Sequence, residues 1–182
     1  GVAWGGARFV DNGNGAVTDT LTGLIWLKRA DCLPAANWSM ALAEANALAS
    51  GACGLTDGST AGQWRMPNLN ELESVIDASA SSPAVPADSP FTGVPNGLEW
   101  TSTSYFGGEG GSPTAWTIRM SDGRYTNDGV QNVKTAQNAV WAVRGGGGGP
   151  AALAATGLYP VYAPGDDGSV QAGARLTYPR FI

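Results

Sequence analysis

Five consecutive glycines, Gly145–Gly149, constrain the fold of this chain more than any other feature of the sequence. Glycine has no side chain to pack and loses the most conformational freedom on folding, so such a run is typical of a linker. The stretch before it is long enough for one domain with a sizeable core, and the stretch after it is too short for another. We therefore predict one domain over residues 1–146, followed by a glycine-rich linker and an extended tail over residues 147–182.

Hydrophobic patterning predicts helices in the first half of this domain and strands in the second. Asn37 is placed to cap a helix over Trp38–Ser50, with Gly51 as its C-terminal cap, and Asn68 with Glu71 has the capping-box spacing of a second helix. Strands are predicted at Phe9–Val10, Ala16–Asp19, Leu24–Leu27, Trp100–Tyr105, Ala115–Met120 and Ala139–Arg144. Residues 79–98 read as a surface loop. Two helices and later antiparallel strands indicate the α+β class.

The two cysteines, Cys32 and Cys53, flank the first predicted helix. Two buried free thiols are one interpretation. A disulfide is favoured, because a helix with a loop at each end allows its two ends to be tied together. Closing such a loop adds about 3 kcal/mol in the chain-entropy model, and a disulfide implies an oxidising compartment.

Composition narrows the classes of function. Charged residues make up 14% of the chain, its net charge is −5 and it has no histidine. Without a basic stripe or a long apolar run, we expect neither a nucleic-acid partner nor membrane insertion. Without histidine, the common nucleophile and zinc arrangements are excluded, so we expect no catalysis, cofactor or metal. A carboxylate pair among Glu71, Glu73 and Asp77 is more simply explained by solvation or by the helix terminus.

Several motifs in order resemble the C-terminal domain family of collagen-like adhesins (Lcl_C). The segments that carry the resemblance are Arg8–Phe9, Asp11–Gly15, Val17–Asp19, Leu21–Trp26, Trp64–Asn68, Glu71–Leu72, Trp100–Thr103, Trp116, Asp122–Gly123 and Val143–Gly146. The resemblance implies a C-type-lectin-like fold, an extracellular or cell-surface location, a role in adhesion or ligand binding, and a disulfide across the first helix. Formylglycine-generating activity, found on a similar fold, does not transfer, because no cysteine follows Cys53.

The later strands and loops are where a C-type-lectin-like domain usually meets its ligand. Aromatic rings and amides in that stretch suit a glycan or a protein surface. Trp141 is expected in the core, and Trp116 fits the core and the surface equally well. The candidate ligand-binding residues are Tyr105, Arg119, Arg124, Tyr125, Asn127 and Asn132.

The tail ends on a sequence like the one that opens the domain. Gly173 aligns with Gly1, Arg180-Phe181 with Arg8-Phe9, and Ile182 with Val10. This similarity has three possible explanations. It arises by chance, or the chain is one unit of a longer array, or the tail adds a strand to a neighbouring copy. The candidate assembly residues are Val170, Ala172, Leu176, Tyr178, Phe181 and Ile182.

Together these features lead us to expect a non-enzymatic extracellular protein with a structural or adhesive role. It would assemble head to tail with copies of itself into a surface filament or array through its terminal strands. The alternative is a monomeric or small-oligomeric domain that binds a host or environmental glycan or protein, including the diversified binding proteins of retroelements.

Overall fold

The computed structural model describes residues 7–105, 113–126, 132–146 and 148–175. Small helices and antiparallel sheets make up the fold, as the α+β prediction requires. The strands are β1 (Phe9–Asp11), β2 (Ala16–Asp19), β3 (Leu24–Leu27), β4 (Leu98–Ser104), β5 (Ala115–Arg119), β6 (Arg124–Thr126) and β7 (Val143–Gly145). The helices are α1 (Trp38–Ala47), α2 (Leu69–Ser74) and α3 (Asp167–Val170).

The first sheet joins the start of the domain to its end. Its strands are ordered β1-β2-β3-β7, with all neighbours antiparallel. The predicted hairpin of β1 and β2 is confirmed, and Gly13 and Gly15 in its turn have φ values of 71° and 84°. Such positive φ angles favour glycine. The strand predicted over Ala139–Arg144 begins only at Val143 and pairs with β3.

The second sheet has the order β4-β5-β6. β4 and β5 lie within two residues of their predicted bounds. The short strand β6 was not predicted, because the signal of the tight turn before it is stronger than that of three residues of strand.

The two predicted helices, α1 and α2, begin at the residues expected for them. The Asn37 side chain accepts a hydrogen bond from the Met40 amide, and Asn68 and Glu71 form a complete capping box. The first helix ends earlier than expected. Leu48, not Gly51, is its C-terminal cap, because the backbone turns extended there and the Leu48 side chain is buried in the core.

One hydrophobic core lies between the sheets and helices. Its largest members are tryptophans that are completely enclosed: Trp26, Trp38, Trp64, Trp100 and Trp141. The core position expected for Trp141 is thus confirmed. Three of the buried indole N–H groups donate to backbone carbonyls: that of Trp38 to Thr101, that of Trp100 to Ala36 and that of Trp141 to Leu27.

The predicted disulfide is present. Cys32 and Cys53 are bonded, with their Cα atoms 5.7 Å apart, and the bond ties together the loops at the two ends of α1. Both side chains pack against the core.

The glycine run is not the unpacked linker that its composition suggests. Gly145 belongs to β7 and pairs with Leu24. A Cβ atom built on Gly149 would lie 2.3 Å from the carbonyl oxygen of Leu21, and one built on Gly23 would lie 2.6 Å from the Gly149 nitrogen. Since no side chain fits there, glycine is required for backbone packing at this point and not for flexibility.

Candidate functional site

The described part of the tail lies against its own domain. Asn68 and Asn70, at the start of α2, donate their side-chain amides to the carbonyls of Ala172 (3.1 Å) and Ala154 (2.8 Å) in the tail. Ala151 donates its amide to the carbonyl of Leu21. The residues that open α2 therefore serve a second purpose, as the receptor for the tail.

Two buried aspartates organise the tail itself. Asp166 caps α3 and also accepts hydrogen bonds from the amides of Tyr162 (2.7 Å) and Ala163 (3.1 Å). Asp167 accepts from the hydroxyls of Thr103 (2.7 Å) in β4 and of Thr156 in the tail. Burial raises the pKa of Asp167, and these two hydroxyls act in the opposite direction. The tail was predicted as extended throughout, and the α3 turn corrects that prediction.

Lys134 connects the domain to the tail through its charge. Its ammonium group lies 3.9 Å from the ring centre of Trp38 and 4.6 Å from that of Tyr162 in the tail, and it donates to the Ser104 hydroxyl (2.7 Å). Burial lowers the pKa of Lys134 to about 8, against the opposing attraction of Asp166. An ammonium between two ring faces gains cation–π energy from both.

Three aromatic rings form a cluster on the second sheet. The ring centres of Tyr105 and Trp116 are 5.3 Å apart and those of Trp116 and Tyr125 are 5.8 Å apart, with both pairs edge to face. Trp116 is half-buried, and Tyr125 is 56% exposed. We call Tyr105, Trp116 and Tyr125 the aromatic cluster.

The candidate ligand-binding residues do not form one surface. Arg119 pairs with Arg124 across β5 and β6, and Ile118 pairs with Tyr125. Because side chains alternate between faces of a sheet, the two arginines lie on the face opposite to the aromatic cluster. Both arginines lie near the Asp122 carboxylate, at 3.8 and 3.2 Å.

Of the two candidate asparagines, Asn132 has no exposed surface. Its amide donates to the Thr126 carbonyl, so it holds the end of β6 and does not face a ligand. No local pattern indicates this burial, because it depends on how the fold places Asn132 against the end of β6. Asn127 is outside the described residues.

The first strand is seated by a buried ion pair. Arg8 donates twice to the carboxylate of Asp19, at 3.0 and 2.7 Å, and Asp19 has no exposed surface. Phe9 is buried against Phe91, with the ring centres 4.9 Å apart. β1 lies at one edge of the first sheet, and no strand among the described residues pairs with its outer side.

Of the candidate assembly residues, two are described. Val170 closes α3 and is 42% exposed, and the carbonyl of Ala172 accepts the hydrogen bond of Asn68. Leu176, Tyr178, Phe181 and Ile182 lie outside the described residues.

Glu71 and Glu73, two of the carboxylates considered above as a catalytic pair, differ in their exposure to solvent. Glu71 is buried and accepts two hydrogen bonds of 2.6 Å from Arg65, while Glu73 is exposed. The Arg65–Glu71 pair and the capping box together fix the start of α2. Within residues 7–105, 113–126, 132–146 and 148–175, no three His, Cys, Asp or Glu side chains come together as a metal site requires.

Sequence reasoning missed most of the residues that position the tail. Lys134, Asn70 and Asp167 each act through a partner far away in the chain, which no local pattern reveals. A signal existed for Asp166 alone, since an aspartate before Asp167-Gly168-Ser169 fits a helix cap.

The fold and the site define a small, disulfide-bonded α+β domain with an aromatic cluster on its second sheet and a tail docked beside it. The chain belongs to the Lcl C-terminal domain family, whose model matches residues 15–144. No curated protein and no solved structure matches it. In the described part of the chain, no helix is both long and apolar enough to span a bilayer.

Proposed function

We propose that this chain is a non-enzymatic, extracellular adhesion protein of C-type-lectin-like fold that assembles head to tail through its terminal strands. Membership of the Lcl C-terminal domain family and the disulfide across α1 support the fold and the location. The absence of histidine from the sequence supports a role without catalysis.

The observation that carries the assembly proposal is the seating of β1. The Arg8 guanidinium neutralises the buried Asp19 carboxylate, and Phe9 fills the space against Phe91. A buried carboxylate that loses its arginine partner destabilises the fold, because its charge is left without a cation. The position of β1 is therefore a receptor with a strict requirement: an arginine followed by an aromatic residue.

The end of the tail meets this requirement. Arg180-Phe181-Ile182 repeats Arg8-Phe9-Val10, and no other Arg-Phe pair occurs in the sequence. The tail of one copy could take the place of β1 on a neighbour, with Arg180 on Asp19 and Phe181 against Phe91. Such an exchange keeps every buried charge paired, and a head-to-tail contact that does not close on itself gives a filament.

Particle size of the full chain tests this proposal. The double variant Arg180→Ala/Phe181→Ala removes the repeated pair, and Arg175→Ala removes an exposed tail arginine as the matched control. Light scattering and negative-stain microscopy over a range of concentrations should show large particles for the wild type and the control, and monomers for the double variant.

A second measurement uses competition. A synthetic peptide of residues 173–182 should shorten the particles by occupying the receptor, and the same peptide with Arg180 and Phe181 replaced by alanine should not. Monomers at every concentration, or particles unaffected by the double substitution, would refute assembly through this segment.

Ligand binding is a second proposed function, and the aromatic cluster favours it. Its edge-to-face rings, of which Tyr125 is exposed and Tyr105 and Trp116 are half-buried, present apolar surface that loses little entropy on binding. A glycan or a protein could bind there, whether the protein is a monomer, a small oligomer or a filament subunit.

A further inference from the structure

A groove runs between the second sheet and the docked tail. One wall is formed by Tyr105 and Trp116 of the aromatic cluster, and the other by tail residues 156–160. Asn70, Thr103 and Ser104 contribute polar groups to its lining. Its volume is about 570 Å³, within the usual range of small-molecule sites. The groove exists because the tail is docked, so neither wall alone would make a site.

The tail wall carries the most exposed large hydrophobic side chain of the described residues. Tyr159 is 79% exposed, although Leu158 and Pro160 on either side of it lie against the groove. Tyr159 thus contributes an aromatic side chain to the tail wall of a groove that Tyr105 and Trp116 also line. Two walls with aromatic rings suit a ligand that has two flat, apolar faces.

Among the residues that the structure describes, no charged side chain lines the groove. The lining consists of Leu69, Asn70, Thr103, Ser104, Tyr105, Trp116, Thr156, Gly157, Leu158, Tyr159 and Pro160. Behind the lining, one carboxylate oxygen of Asp167 accepts from Thr103 and Thr156, and Lys134 donates to Ser104. A charged ligand would lose its hydration without gaining an ion pair.

Hydrogen-bonding groups lie at the floor. The Asn70 amide nitrogen is committed to the Ala154 carbonyl, so its carboxamide oxygen is the end that can accept from a ligand hydroxyl. The Thr156 hydroxyl already donates to Asp167, so it can accept from a ligand, and the Ser104 hydroxyl, which accepts from Lys134, can donate to one. The site therefore combines apolar walls with a hydroxyl-binding floor.

We propose that this composite groove binds a neutral carbohydrate, with one or two sugar rings held between Tyr159 and Trp116. A pyranose offers apolar ring faces and hydroxyl edges without charge, which matches the walls and the floor. The inference rests on the ligand-binding function proposed above and is independent of assembly. A proline-rich peptide also binds aromatic grooves, and its binding is one of the outcomes that the test below distinguishes.

Calorimetric titration of the full chain tests the inference, with cellotetraose, maltotetraose and chitotetraose as neutral probes. At least one should bind saturably and quench tryptophan fluorescence, because Trp116 lies in the wall. Tyr159→Ala should weaken that binding about tenfold, since the loss of one ring face removes an aromatic contact of that order. Val161→Ala, an exposed tail substitution outside the groove, is the matched control and should bind as the wild type does.

A heparin tetrasaccharide and a deca-proline peptide distinguish the failure of this inference from that of the wider function. Binding of either one, with no neutral sugar bound, would overturn the carbohydrate assignment and leave ligand binding in place. Sugar binding that is lost in Tyr125→Ala but not in Tyr159→Ala would place the ligand outside the groove and overturn the composite site. Binding of none of the probes would also overturn the inference.

Discussion

Glu99 is fully buried in β4, and neither of its carboxylate oxygens has a hydrogen-bond partner in the structure. Burial raises its pKa well above the usual value of a glutamate. Asp19 and Glu71, equally buried, are each paired with an arginine. Asp19 and Glu71 have an arginine within reach and Glu99 does not, so Glu99 is a buried acid whose ionisation opposes folding.

We predict that Glu99→Gln stabilises the protein at alkaline pH. The folded state holds a proton on Glu99 that the unfolded state releases near pH 4.5, so stability falls as pH rises from there to the raised pKa of the folded state. In urea unfolding, the variant should exceed the wild type by at least about 1 kcal/mol at pH 8 and match it at pH 4. Glu73→Gln, at an exposed position, serves as the control. A constant difference across pH would mean that Glu99 is ionised in the folded state.

Lys134 gives the opposite dependence on pH. Its pKa is lowered to about 8 in the folded state, so the folded protein releases this proton at a pH where the unfolded chain still holds it. Lys134 therefore adds stability as pH rises from 8 towards 10.5. Lys134→Met should remove that rise from the unfolding free energy, whereas Lys28→Met, at the other lysine of the chain, should keep it. If both variants kept the rise in unfolding free energy above pH 8, a titrating group other than Lys134 would be its cause.

At the scale of elements, α2 is short and depends on its first turn. Asn68 accepts from the Glu71 amide, Glu71 accepts from the Asn68 amide, and Arg65 pairs with Glu71. The same Asn68 side chain also donates to the tail. By contrast, Asn37 at the start of α1 caps that helix without any tail contact in the structure. Both caps are therefore asparagines, but Asn68 also contacts the tail.

We expect Asn68→Ala to lower the free energy of unfolding more than Asn37→Ala does. Loss of a helix cap costs about 1 kcal/mol in each variant, and Asn68→Ala also leaves the tail without one of its anchors. Chemical unfolding measures the stability difference, and trypsin cleavage after Arg175 measures release of the tail. Cleavage should accelerate in Asn68→Ala alone. Equal cleavage in both variants would limit Asn68 to its capping role.

At the scale of the whole molecule, the tail has two parts with separate tasks. Residues 148–175 complete the domain. They provide hydrogen-bond partners for the side chains of Asn68, Asn70 and Thr103, and they form one wall of the groove. Residues 176–182 carry the repeated Arg-Phe sequence that we propose as the assembly segment. Truncation can separate these tasks.

A chain that ends at Arg175 should keep the stability of the full chain and lose assembly. A chain that ends at Gly149 should lose at least about 2 kcal/mol as well, since it leaves buried polar groups without partners. Urea unfolding and light scattering on both truncations measure the two effects. Retained stability in the shorter chain would show that the tail contacts contribute little to folding.

Local chemistry determined much of this protein from its sequence alone. The β1–β2 hairpin follows from Asn12-Gly13, the starts of both helices from Asn37 and Asn68, and the disulfide from two cysteines around one helix. Each of these signals acts between residues close in the chain or across a single element, where the options are few. The family motifs are of the same kind.

The tertiary structure alone decided which distant residues meet. It packed Gly149 against Gly23, buried Asn132, set Arg119 and Arg124 on the face opposite to the aromatic cluster, and placed Tyr159 in the same groove as Trp116. These outcomes depend on sheet register and on the docking of the tail. The register of a strand decides which face of the sheet each side chain lies on. Docking of the tail brings together groups that are tens of residues apart in the chain. Neither effect can therefore be predicted from a local sequence pattern.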